Sequence, residues 1–143
     1  ELIIGDRELA QLLVAKKLAA LYGPHFSRWD GDSCPICGAT PLLFKVIREP
    51  GPLFEGKTKY AVCACGFTWR YKWWRCPKCG AEGREAFEVL YREDMEGVFF
   101  YRCKRCGYVH AEVYGEPDEV TQYGLRLLAA SLTSLKSLKT IHQ

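Results

Sequence analysis

The residues best suited to chemistry in this chain are eight cysteines, which occur as four close pairs. In three pairs two residues separate the thiols, and a glycine follows the second thiol. Two thiolates at this spacing can contact one tetrahedral ion, while the glycine permits a turn that points backbone N–H groups at the sulfurs. The pattern therefore predicts metal binding rather than disulfide bonds. The pairs are Cys34/Cys37, Cys63/Cys65, Cys76/Cys79 and Cys103/Cys106.

An internal repeat of about 42 residues indicates how the pairs combine. The segment "CPICGATPLLFKVIRE" matches "CPKCGAEGREAFEVLYRE", and "YAVCACGFTW" matches "YRCKRCGYVH". Each repeat thus contains its own four thiols, and the repeat predicts sequential pairing. A cross-braced alternative would join the two CPxCG pairs and leave the other four thiols together. In the sequential arrangement Cys34, Cys37, Cys63 and Cys65 hold the first ion, and Cys76, Cys79, Cys103 and Cys106 hold the second.

The pair Cys63/Cys65 departs from the common spacing because only Ala64 separates its thiols. We expect a distorted turn there, and a first site that is weaker or more labile than the second. Four thiolates suit zinc and iron alike. Zinc is the default for a structural site without redox chemistry, so the sequence predicts two Zn²⁺ ions with iron as the alternative. The formal charge of +3 does not by itself indicate nucleic acid, since many basic side chains offset thiolate charge.

The elements that position these cysteines are short strands and two helices. Each repeat predicts an apolar strand, a second strand that enters the next cysteine pair, and a third strand that leaves it. The predicted fold is a small metal-bound β protein with flanking helices. Its boundaries are an N-terminal helical segment at 1–30, a first zinc ribbon at 31–73, a second at 74–115 and a C-terminal helix at 116–143.

Both helices are predicted from leucine spacing. The first covers residues 6–22 and ends at Gly23-Pro24, whereas the second begins at about Val120. We expect their leucines to pack on the ribbons, with a partner-binding groove as the alternative for the second helix. These leucines are Leu9, Leu12, Leu13, Leu18 and Leu21 in the first helix, and Leu125, Leu128, Leu132 and Leu135 in the second.

Aromatic residues alternate with polar ones after Cys65. Alternation places Phe67, Trp69, Tyr71 and Trp73 on one face of a strand, which predicts a core between the ribbons. The alternative is a stacking platform for single-stranded nucleic acid, with Arg70 and Lys72 on phosphates. Trp74 breaks the alternation, and we expect it to be the exposed anchor of this group.

Several classes of protein are disfavoured by what the sequence lacks. It contains no Ser/His/Asp set, phosphate loop or paired-carboxylate signature, so we expect no enzyme activity. His110 stands where the first repeat has Trp69 and is expected to be a packing or surface residue rather than a ligand. No signal peptide or run of roughly 20 apolar residues is present, which predicts a cytoplasmic protein without membrane insertion. The absence of Asn hints at a thermophilic source.

The string "CPICG…CACGFTW…RCPKCG…RCKRCG", followed by a leucine-rich terminal helix, resembles the C-terminal half of the formate dehydrogenase accessory protein family FdhE. The resemblance covers residues from about 30 to 140. It implies two tandem rubredoxin-like modules whose four cysteine pairs are those found here. Cys63/Cys65 departs from the CxxC usual in the family, and the segment before the modules is shorter than the family's helical half.

The resemblance also implies a function. Members of the family are cytoplasmic maturation factors, which act like chaperones on the catalytic subunit of a respiratory formate dehydrogenase. We expect a non-catalytic binding protein whose partner surface includes Trp74, Arg75 and the terminal helix. Two alternatives remain at this point: a zinc-ribbon protein that binds nucleic acid, and a redox protein in which iron replaces zinc.

Overall fold

The repeat in the sequence corresponds to a repeat of three antiparallel strands. The computed structural model describes residues 5–53, 56–132 and 139–141. The predicted fold class is confirmed, since two such three-stranded units lie between two helices. The helices are α1 (Asp6–Tyr22) and α2 (Glu119–Ser131). The strands are β1 (Leu43–Glu49), β2 (Gly56–Val62), β3 (Thr68–Arg70), β4 (Phe87–Tyr91), β5 (Val98–Cys103), β6 (Val109–Tyr114) and β7 (Lys139–Ile141).

The two units join edge to edge into a single sheet. Strand β1 of the first unit pairs in parallel with β6 of the second, with Leu43 opposite Ala111 and Val46 opposite Tyr114. The described strands lie in the order β3-β2-β1-β6-β5-β4-β7. The sequence did not predict this join, because a parallel pair between distant strands has no turn to mark it. The domain boundaries stay a prediction. The single sheet extends across the predicted boundary between the two ribbons.

Helix α2 covers one face of the sheet, as expected for a core helix. Its N-cap residue Asp118 accepts a hydrogen bond of 2.7 Å from the backbone N–H of Thr121, which satisfies one of the free donors of the first turn. Leu125 and Leu132 are buried, and Leu128 packs against the same cluster. Leu135 lies outside the described residues. The sheet contributes Leu43, Leu90, Val98, Phe100, Val109, Ala111 and Val113 to this core.

Helix α1 lies over the first unit, but the prediction that its leucines pack there is wrong for most of them. Ala15 and Ala19 are the residues that pack against the cluster of the first unit. That cluster is rimmed by bulky rings, so the short alanine face of the helix can approach it closely. Four of the predicted leucines are exposed instead: Leu9, Leu13, Leu18 and Leu21.

The aromatic segment after Cys65 forms a core, as predicted, but only as far as Tyr71. Phe67, Trp69 and Tyr71 are buried, so their rings are not a stacking platform for bases. The prediction for Trp73 is wrong, since its side chain is 42% exposed. Strand β3 ends at Arg70, and Tyr71 still donates its backbone N–H to the carbonyl of Lys59 on β2 at 3.0 Å. The period of two no longer applies beyond Tyr71.

Trp74 turns the chain from the first unit into the second, and the prediction that it is exposed is also wrong. Its φ of 54° lies in the left-handed region, which a bulky residue rarely adopts. The indole is half-buried, with ring centroids 6.1 Å from Phe87 and 5.4 Å from Tyr101. These contacts hold Trp74 against the second unit and compensate the backbone strain.

Arg75 fastens the two units together. Its Nε and Nη2 donate to the carboxylate of Asp32 at 2.8 Å each, in a bidentate pair. Its Nη1 donates to Glu82 at 2.8 Å. Arg75 thus links the segment that precedes the first metal site to the loop that follows the first cysteine pair of the second site.

A buried ion pair lies on the sheet face opposite α2, again between the units. Lys59 on β2 and Glu112 on β6 are 3% and 1% exposed, and Lys59 Nζ lies 3.3 Å from Glu112 Oε2. His110 is buried beside them, stacked on Tyr101 with a centroid distance of 5.4 Å. His110 is therefore a packing residue, which is one of the two roles predicted for it, the other being a surface residue.

Neither described helix is both long enough and apolar enough to cross a membrane.

Leu125→Ala should lower the free energy of unfolding by about 2–5 kcal/mol, because it leaves a cavity between α2 and the sheet. Val120→Ala is the control, because the Val120 side chain on the same helix is 82% exposed. It should change the free energy of unfolding by less than about 0.5 kcal/mol. Denaturant titration of the metal-loaded protein measures both values. Equal losses would contradict the packing of α2 described above.

Lys59→Met alone should destabilise the protein by about 3–5 kcal/mol, because it leaves the Glu112 carboxylate buried without its partner. Lys59→Met combined with Glu112→Leu should recover most of that loss, since no buried charge remains. A double-mutant cycle on unfolding free energies tests this. Additive losses would mean that the two groups do not interact.

Candidate metal centres

The first centre gathers four sulfurs from two turns of the first unit. The sulfurs of Cys34, Cys37, Cys63 and Cys65 all lie within 4.8 Å of one another. The Cys34 and Cys65 sulfurs are 3.7 Å apart, and those of Cys37 and Cys63 are 3.3 Å apart. A tetrahedral ion about 2.3 Å from each sulfur needs sulfurs roughly 3.8 Å apart. The cluster therefore has the size to hold one such ion.

The second centre repeats the arrangement in the second unit. The sulfurs of Cys76, Cys79, Cys103 and Cys106 also lie within 4.8 Å of one another. Both the Cys76–Cys106 and the Cys79–Cys103 sulfur distances are 3.6 Å. The sequential grouping predicted from the repeat is confirmed, and the cross-braced alternative is wrong. That each cysteine ligates an ion stays a proposal.

Three of the four cysteine turns share one backbone geometry. In each, the glycine N–H donates to the carbonyl of the first cysteine, at 2.9 Å from Gly38, 2.9 Å from Gly80 and 2.8 Å from Gly107. These glycines have φ of 78°, 79° and 79°. This conformation strains residues with a Cβ, so glycine lets the turn close beneath the sulfurs.

The CxC pair forms a shorter turn, in line with the expected distortion. Gly66, with a φ of 100°, donates to the carbonyl of Cys63 at 2.9 Å across three residues rather than four. The N–H of Cys63 donates to the carbonyl of Phe67 at 3.0 Å and closes the turn from outside. The CxC turn is thus one residue shorter than the CxxC turns, and the sulfurs of Cys63 and Cys65 still lie in the cluster. Whether this centre is also more labile stays a prediction.

The thiols of the two centres have different proton affinities. Burial raises the pKa of Cys65 to about 11 and that of Cys76 to about 12. The hydrogen bond from the backbone of Ala81 lowers the pKa of Cys79 to about 7. A divalent ion must displace the protons of the buried thiols, so metal affinity should fall as the pH is lowered. Cys37 is the exposed residue of the first centre, and the second centre has Cys106 exposed and Cys79 partly exposed.

Helix α2 contacts each unit immediately before its second cysteine pair, which the sequence did not predict. Arg126 Nη2 donates to the carbonyl of Val62 at 3.0 Å, one residue before Cys63. In the second unit Arg102, one residue before Cys103, donates through Nη2 to the carbonyl of Leu132 at 3.1 Å. Each contact stabilises the entry to a turn. The repeat offered the only signal, because Val62 and Arg102 are equivalent positions within it.

Cys34→Ser and Cys65→Ser should each reduce the metal that resists a competing chelator from two ions per chain to one, because both sulfurs belong to one cluster. Combining the two should cause no further loss, whereas Cys34→Ser with Cys76→Ser should remove both ions. Elemental mass spectrometry after chelator treatment measures the stoichiometry. Loss of both ions from the Cys34/Cys65 double variant would contradict the grouping.

Comparisons with known proteins place this geometry in a known fold. No family model matches the sequence, and neither does any curated protein. Among solved structures, the crystal structure of the FdhE protein from Pseudomonas aeruginosa matches with a TM-score of 0.52 and 18% sequence identity. The match covers 71% of this chain and 36% of that protein, so the chain spans little more than a third of its length. The chain therefore has an FdhE-like fold, here with two four-cysteine clusters on one sheet.

Proposed function

We propose that this protein is a metal-stabilised, non-catalytic accessory protein that assists the maturation of a formate dehydrogenase. It would act in the cytoplasm by binding the catalytic subunit of that enzyme. The observation that carries the proposal is the FdhE-like fold over 71% of the chain, combined with cysteine pairs in the order that the sequence resemblance requires.

The two centres have a structural role in this proposal. Each would hold one Zn²⁺ through four thiolates, with iron as the alternative ion, and so fold a unit too small to be stable without a staple. Three sulfurs of the first cluster and two of the second are buried. A four-thiolate centre also has no open position for a substrate, which supports a binding role over an enzymatic one.

The partner surface is assigned to the junction between the units. Arg75 and Trp74 are committed to internal contacts, so we propose that they shape this surface while Trp73 makes the direct contact. Trp73 is 42% exposed beside them, and tryptophan is enriched among the residues that contribute most to binding at protein interfaces. The exposed residues Val120 and Tyr123 lie on α2, which covers the other face of the sheet, so a contact through the terminal helix would be separate from the contact at Trp73.

Trp73→Ala should weaken binding of the formate dehydrogenase catalytic subunit by about tenfold or more, because it removes an interface anchor. Tyr22→Ala is the matched control, since this 52% exposed ring lies at the end of α1 and has its ring contact with His25. Pull-down with the metal-loaded chain, with nucleic acid added as competitor, measures retention of the subunit.

Three outcomes are informative. Retention by the wild type and loss in the Trp73 variant support both the partner and the surface. Equal retention of the subunit by the wild type and both variants would mean that Trp73 is not part of the partner surface. Failure of the wild type to retain the subunit would contradict the proposed function, and recovery of nucleic acid in its place would favour the nucleic-acid alternative.

A further inference from the structure

The ion pair between the units is part of a small polar chamber that the proposed function does not use. Lys59 Nζ contacts Glu112 Oε2 at 3.3 Å, and its ammonium also lies 4.7 Å from the ring centroid of Phe44. Trp73 covers the ammonium from the solvent side, with its ring centroid 5.7 Å away. A charged pair is thus enclosed by aromatic rings on the sheet face opposite α2.

Two polar atoms in this chamber lack hydrogen-bond partners among the described residues. They are Glu112 Oε1 and His110 Nδ1, in side chains that are each only 1% exposed. An unsatisfied buried acceptor costs about 1–3 kcal/mol, and more for a charged group. His110 and Glu112 lie two positions apart on one face of β6, and a ligand between them would satisfy both atoms.

A cavity of about 10 Å³ lies against the same residues. Its walls include Lys59, His110 and Glu112 together with Trp73, Trp74 and Phe87. This volume is about the least that accommodates one water molecule. We propose that the chamber is a binding site for a single water molecule, which donates to Glu112 Oε1 and His110 Nδ1, and that Trp73 is its lid.

The chemistry of the chamber selects water over other small ligands. With the His110 proton on Nε2, the two free atoms call for a ligand with two donors, and Lys59 can supply a donor to the oxygen of that ligand. A metal ion or ammonium would be repelled by the Lys59 ammonium, and any larger molecule exceeds the volume. Water offers two donors and an acceptor, and it has the right size.

The lid assignment rests on how the junction segment is held. Trp74, in its left-handed conformation, is anchored against Phe87 and Tyr101, while Arg75 is fixed by Asp32. Trp73 has no such anchor in its backbone element, since β3 has already ended. The Trp73 side chain is 42% exposed, and its ring centroid lies 5.7 Å from Lys59 Nζ. Movement of this ring would therefore open the chamber without unfolding the sheet.

The first experiment detects the water. In the metal-loaded wild type, magnetisation transfer in NMR should link a slowly exchanging water to the protons of His110 and the amide of Glu112. The signals should be lost in the Lys59→Met/Glu112→Leu variant, which removes the charged acceptor, and retained in Tyr60→Phe, which removes an exchangeable hydroxyl that donates to Glu49. Absence of the signals in the wild type would overturn the site, as would their persistence in the double variant.

The second experiment tests the lid by chemical labelling of lysine amines. Lys59 is only 3% exposed, so slow reaction of its amine reports that the reagent cannot reach it. Reductive methylation followed by mass spectrometry should modify Lys59 at least about tenfold more slowly than the exposed Lys72.

Trp73→Ala should remove that protection, and Tyr22→Ala should leave it unchanged. Continued protection in Trp73→Ala would overturn the lid while leaving the water site to the NMR result. Rapid labelling of Lys59 in the wild type would contradict both the enclosure and the lid. None of these readouts depends on a formate dehydrogenase, so the proposed function and this inference can fail separately.

Discussion

The structure depends on the convergence of four cysteine sulfurs in each unit. A unit of about 42 residues with three short strands buries too little apolar surface to offset its conformational entropy. Sulfur distances of 3.3–3.7 Å show that the turns bring the thiols to the spacing of a tetrahedral ion. Binding such an ion contributes free energy directly to folding, because the site exists only in the folded chain.

The joining of the units follows from the same small size. Each unit alone would expose a sheet edge, and the parallel pairing of β1 with β6 buries one edge of each. The shared sheet is then large enough to be covered by α2 on one face. On the other face it brings Lys59 and Glu112 together across β1, where the pair stabilises one relative position of the units more than it adds to total stability.

These features bear on function through the junction between the units. The segment from Trp73 to Arg75 links the units, carries an exposed tryptophan, and covers the buried ion pair. A partner that binds at Trp73 would therefore contact the lid of the chamber. The two metal centres, one in each unit, would hold the backbone around this segment in place and would take no part in a reaction.

The sequence by itself determined the local parts of the structure. Cysteine spacing and the repeat predicted the two clusters, the strands of each unit and both helices, because metal turns and periodic patterns are set by residues close together in the chain. The resemblance to FdhE was visible at this level as well. Tertiary structure decided what depends on contacts between distant residues.

Three outcomes illustrate that limit. The β1–β6 pair leaves no local mark, so neither the single sheet nor the partners of Lys59 were foreseen. The alternation that correctly buried Tyr71 failed at Trp73, because the strand had ended and packing of Trp74 took over. Leucines on α1 looked like a core face, yet Ala15 and Ala19 pack there, since the shape of the opposing surface selects the face of a helix.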